Sequence, residues 1–102
     1  MEGRALISSQ VLARYAADAA REVEGVSAIV DGHLRRQRGV KVTSEEGGGV
    51  AIELHVLVQD GVSIPPIGRE VQRRVRQYLK VMADVEPARV EVIVAGVESA
   101  PR

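Results

Sequence analysis

Between Val50 and Val97 the period of the hydrophobic pattern changes twice, from two residues to about 3.6 and back, and few folds accommodate that order. From Val50 to Gln59 the chain alternates: Val50, Ile52, Leu54, Val56 and Val58 share one face of a strand, whereas Ala51, Glu53, His55, Leu57 and Gln59 share the other. From about Ile64 to Ala83 the spacing turns helical. At about 100° per residue, Ile64, Ile67, Val71, Val75, Tyr78, Leu79 and Met82 gather on one side, and Arg69, Arg73, Arg76 and Lys80 on the opposite side. Ser63 is the natural cap of this helix, Pro65 and Pro66 fit its opening, and Pro87 blocks its continuation. Gly68 weakens the helix by about 1 kcal/mol relative to Ala, which reads as a point of close approach to a sheet. Arg89 to Val97 alternates again, so strand, helix and strand predict a right-handed crossover with the two strands parallel.

The preceding residues supply the remaining layer. Ser8 or Ser9 can cap a first helix whose apolar side, Val11, Leu12, Tyr15, Ala16, Ala19, Ala20 and Val23, is rich in Ala and suits close packing. Gly25 then ends that helix, since without a Cβ it enters the left-handed region at little cost. Val26 to Val30 predicts a short strand, Asp31-Gly32 a turn, and His33 to Gly39 a basic loop. Val40 to Thr43 and the strand from Val50 form a hairpin across the turn Ser44 to Gly49. The expected fold is an α/β two-layer domain over residues 1–102: a small mixed sheet of three to four strands with both helices on one face, in the order α-β-β-β-α-β.

Composition narrows function by exclusion. Among 102 residues there is no Cys, so disulfides, thiolate metal sites and a Cys nucleophile are absent. His33 and His55 make no metal-ligand spacing, and the glycines at 47 to 49 lead into a strand, not into the Lys-Ser/Thr helix start of a phosphate loop. Glu53, His55 and Glu91 are the acid-base groups nearest one another, on a face expected to be open. The chain is therefore expected to be no enzyme, with no cofactor and no small-molecule substrate. No signal peptide and no apolar run of about 18 residues is visible, which predicts a cytoplasmic protein, peripheral to the membrane at most.

Two surfaces remain as candidate sites. On the sheet face away from the helices, Leu57, Ile93 and Val97 are expected to form an apolar patch beside Ala51, Ala95, Glu53, His55, Gln59 and Glu91, an interface for a protein partner or a second copy. The alternative is a small RNA- or DNA-binding module using the basic side of the second helix, Arg69, Arg73, Arg76 and Lys80, together with the loop arginines Arg35, Arg36 and Arg38. Equal numbers of basic and acidic side chains, 14 each, oppose that alternative, as does an aromatic content limited to two Tyr on apolar helix faces.

Several stretches together resemble the alkaline shock protein family, also described as envelope stress response proteins. They are Ile7-Ser8, Glu22-Val23-Glu24-Gly25-Val26, Gly39-Val40-Lys41-Val42, Val50-Ala51-Ile52-Glu53-Leu54-His55-Val56, Val71-Gln72-Arg73-Arg74-Val75 and Val90-Glu91-Val92-Ile93-Val94-Ala95-Gly96-Val97. The chain departs from the family pattern at Gln59-Asp60-Gly61, where Tyr-Gly is common, and at Glu24, where Pro is common. The resemblance implies a non-enzymatic, cytoplasmic bacterial stress protein, an interaction or scaffold module that in some members of the family is held near the membrane through a separate, membrane-anchored partner.

Overall fold

The computed structural model describes residues 7–30 and 39–99. Two helices and four strands follow the predicted order: α1 (Ser9–Arg21), β1 (Val26–Ile29), β2 (Val40–Ser44), β3 (Val50–Gln59), α2 (Ile64–Ala83) and β4 (Arg89–Glu98), with a 3-10 turn at Glu46–Gly48 inside the hairpin. The basic loop, including Arg35, Arg36 and Arg38, lies outside the described residues.

β3 is the strand on which the sheet is assembled. β2 runs antiparallel to its first half, from Ser44 opposite Val50 to Val40 opposite Leu54, and β1 runs antiparallel to its second half, with Ile29 opposite Val56 and Val26 opposite Val58. The two short strands thus lie end to end along one edge. At their junction the His55 carbonyl accepts from the Val30 N–H at 2.9 Å, and the His55 N–H donates to the Gly39 carbonyl at 2.8 Å. β4 occupies the other edge, parallel to β3 as the crossover through α2 requires.

Both helices cover one face, α1 over β1 and β2, and α2 over β4. Ser8 caps α1 by accepting from the Val11 N–H at 3.2 Å, but Ser63 makes no side-chain capping bond to α2, whose two prolines already remove N–H groups that a cap would serve. Gly25, at φ +100°, turns the chain out of α1 beneath α2, and a Cβ built there would stand 2.5 Å from Ile67 Cδ1. The core joins Leu12, Ala16 and Ala20 of α1, Ile52, Leu54, Val56 and Val58 of β3, and Ile67, Val71, Val75 and Leu79 of α2. Tyr15 and Tyr78 meet edge to face between the helices, with centroids 5.7 Å apart.

The ends of α2 depart from the expected apolar side. Ile64 in the first turn and Met82 in the last are 40% and 47% exposed, although both fall on the side that buries Ile67 and Leu79. Helical phase decides direction, but burial also needs something opposite, and the terminal turns of a 20-residue helix outrun the core. Gly68 differs as well: a Cβ built on it would meet nothing within 4 Å, so this glycine marks no close approach to the sheet.

Candidate interaction surface

Alternation along β3 turns Ile52, Leu54, Val56 and Val58 toward the helices, each at most 1% exposed, and leaves Ala51, Glu53, His55, Leu57 and Gln59 on the outer face. Register carries this sorting across the sheet. Lys41, Glu53 and Glu91 form one row on β2, β3 and β4; His55 and Ile93 form the next; Ala28, Leu57 and Gly96 form a third on β1, β3 and β4; and Gln59 and Glu98 follow. Glu53 Oε2 lies 2.8 Å from His55 Nε2, and the imidazole N–H donates to the carboxylate. That hydrogen bond holds the Glu53 carboxyl below the usual carboxylate range, with the charges of His55 and Lys41 acting in the same direction.

Val97 does not join this face. Val94 stands opposite Val56 and Gly96 opposite Leu57, so Ala95 is an extra residue in β4, and beyond this bulge Val97 aligns with the helix-facing Val58. The sequence reading carried simple alternation through to the end of β4 and placed Val97 beside Ile93; one inserted residue reverses every later side chain. The signal available in the sequence was Gly96, because a glycine inside a strand often marks a bulge or a close approach. Leu57 lies against it, and a Cβ on Gly96 would stand 3.1 Å from Leu57 Cδ2. The outer apolar set is therefore Leu57 and Ile93 with Ala28, while Ala51, only 9% exposed, offers little.

The basic side of α2 is largely occupied by its own neighbours. Glu70 grips Arg73 with both oxygens, at 3.0 Å from Nε and 2.6 Å from Nη2, and its carboxyl is held below the usual range by that contact. Arg76 donates to the Pro87 carbonyl at 2.8 Å, and Lys80 reaches Asp84 and Glu86, each at 3.0 Å. Those partners sit three to six residues away in sequence or just past the helix end, where they alternate with the basic residues and dilute the stripe's positive field. A nucleic-acid footprint needs basic groups free to neutralise phosphates. Of the predicted stripe, Arg69 alone makes no hydrogen bond or ion pair among the described residues.

Among the described residues no three of His, Asp and Glu converge as metal ligands, and no helix is long and apolar enough to cross a membrane. One open depression, between the helices, is lined by Ala19, Glu22, Arg74, Tyr78, Val81 and Met82.

Residues 1–99 match the alkaline shock protein 23 family, described as having a cell envelope-related function. The chain belongs to this family. Among similar relatives, the uncharacterized protein Spy1535 of Streptococcus pyogenes is 28% identical over 102 residues, spanning 93% of this chain and 79% of that protein. YqhY of Bacillus subtilis, also an uncharacterized protein, is 29% identical over 106 residues, spanning 94% of this chain and 78% of its own length. Two histidine variants of MamM-CTD share the fold, with a TM-score of 0.56 over 92% of this chain and 100% of theirs, at 12% identity. At that identity the likeness is one of fold alone.

Proposed function

We propose that this member of the alkaline shock protein family is a non-enzymatic interaction or scaffold module of the envelope stress response, and that it binds a protein partner through the outer face of its sheet. The observation that carries the reading is the position of both helices on one side, which leaves Leu57 and Ile93 uncovered beside the charged row Lys41, Glu53 and Glu91. An apolar centre with a polar rim is the usual anatomy of a protein interface. The family's cell envelope-related description supports a membrane-anchored partner, which would hold the chain peripheral to the bilayer.

The test is capture of partners from native lysate on the wild-type chain and on Leu57→Asp, each with and without nuclease. Retained proteins that survive nuclease and disappear with Leu57→Asp support the proposal. Retention that depends on nucleic acid would overturn it in favour of the basic helix side.

A further inference from the structure

β4 is a ten-residue strand with a neighbour on one side alone: it pairs with β3, and no described strand lies along its other edge. An open edge is a template for another strand unless something blocks it. We propose that this edge pairs antiparallel with the same edge of a second copy about a two-fold axis through Ile93, joining the two sheets into one. This goes beyond the reading of the outer face, since it uses the edge of the sheet and stands whatever that face binds.

A two-fold axis on a strand sets side chains of the same face against each other, and the bulge decides which residues those are. Arg89, Glu91, Ile93, Gly96 and Glu98 point to the outer face, and Val90, Val92, Val94 and Val97 to the helix side, with Ala95 as the inserted residue. In an antiparallel pair, opposed residues must share a face. With Ile93 on the axis, Val92 meets Val94 of the second copy, Glu91 meets Gly96, Val90 meets Val97, and Arg89 meets Glu98. Every pair matches in face, as in a regular strand, and passing over Ala95 is what brings Arg89 opposite Glu98 in place of Val97. The strand ends become two Arg89–Glu98 pairs of opposite charge. Ile93 and Val97, 40% and 54% exposed in the single chain, acquire apolar neighbours. Moving the axis to Glu91, a slip of four residues between the strands, would instead set Glu91 against Glu91, which disfavours that register.

Backbone directions agree with this pairing. The Val90 carbonyl accepts from Gln72 Nε2 of α2 at 3.0 Å, so it faces the free side of β4 and takes a side chain where a strand is lacking, whereas the Glu98 carbonyl accepts from the Asp60 N–H at 2.9 Å and faces β3. Residues eight apart face the same way in a regular strand; here they oppose because the bulge lies between them. Val92 and Val94 follow Val90 by alternation and turn their backbone groups outward, where an antiparallel neighbour would bond them as a pair. In the single chain both end charges lean across β3, away from the free edge, and turn toward the second copy when the strands pair. Arg89 uses Nη2 on Glu45 at 2.8 Å and Glu98 uses one oxygen on Ser27 at 2.7 Å, leaving the other guanidinium donors and the second carboxylate oxygen.

Sedimentation velocity across the micromolar range tests the pairing on the full chain. The wild type should form dimers, and Arg89→Glu or Glu98→Arg alone should raise the dimer dissociation constant at least about tenfold by setting like charges at both ends of the ladder. An equimolar mixture of the two variants should regain the dimer, because the acidic ends of one then meet the basic ends of the other. Leu57→Asp should dimerise as the wild type does, which separates the edge from the face. On the unsubstituted chain, amide exchange at Val92 and Val94 should slow as protein concentration rises. A monomeric wild type, concentration-independent exchange at those amides, or folded variants whose mixture stays monomeric would overturn the proposal.

Discussion

Gly68 lies near the start of α2 in ordinary helical backbone, with open space where a Cβ would project. Nothing in the fold needs a glycine there, so Gly68→Ala should raise stability by up to about 1 kcal/mol and the melting temperature by about 4 °C. A lower melting temperature would mean that the helix backbone requires the glycine after all. Glu70 makes a prediction of a different kind. The grip of Arg73 depresses its folded-state pKa below the ordinary 4.5, so the native state binds a proton less readily than the unfolded chain. Its stabilisation is present above that ordinary value and is lost as pH falls through the depressed one. Urea melts of wild type and Glu70→Gln should therefore differ at neutral pH and converge in acid; a gap that persists in acid would assign the difference to packing.

At the scale of elements, α2 divides its residues by what lies opposite them. Leu79 is fully buried among α1 and the sheet, and Leu79→Ala should cost about 3 kcal/mol, the transfer loss plus the cavity left behind. Arg69 projects to solvent, and Arg69→Ala should stay within about 0.5 kcal/mol. Equal shifts in chemical denaturation would mean that the helix packs in another phase. In the sheet, β3 takes β1 and β2 end to end on one side and β4 on the other, so its ten residues carry the ladder of the whole molecule. Its fully buried Leu54, Val56 and Val58 sit where that ladder meets both helices.

For the whole molecule, balanced charge and a basic helix side interleaved with Glu70, Asp84 and Glu86 leave little net field to attract a polyanion. Fluorescence anisotropy with mixed-sequence oligonucleotides at physiological salt should show no binding. Salt-sensitive binding that disappears in an Arg69, Arg73 and Arg76 triple Ala variant would reverse the ranking of the two surfaces. The outer sheet face should behave otherwise. Leu57→Asp should remove partner binding with little change in melting temperature, because the residues that β3 turns toward the helices are untouched.

Hydrophobic period alone determined the elements and their order: the alternation from Val50 to Val58, the spacing from Ile67 to Leu79, and the alternation resuming after Pro87 prescribe a crossover with parallel strands, and the described fold has it. Period also separated the core-facing side chains of β3 from Glu53, His55 and Leu57, since alternation is a property of the extended backbone itself. What it could not supply was each element's surroundings. Ile64 and Met82 share the helical phase of the core yet lie beyond it, and Arg73 and Lys80 became paired once Glu70, Asp84 and Glu86 came within reach. The side taken by Val97 rested on one extra residue in a ladder with β3, a property of two strands together. Burial, pairing and register each belong to neighbours that a local pattern does not contain, and tertiary structure decided them.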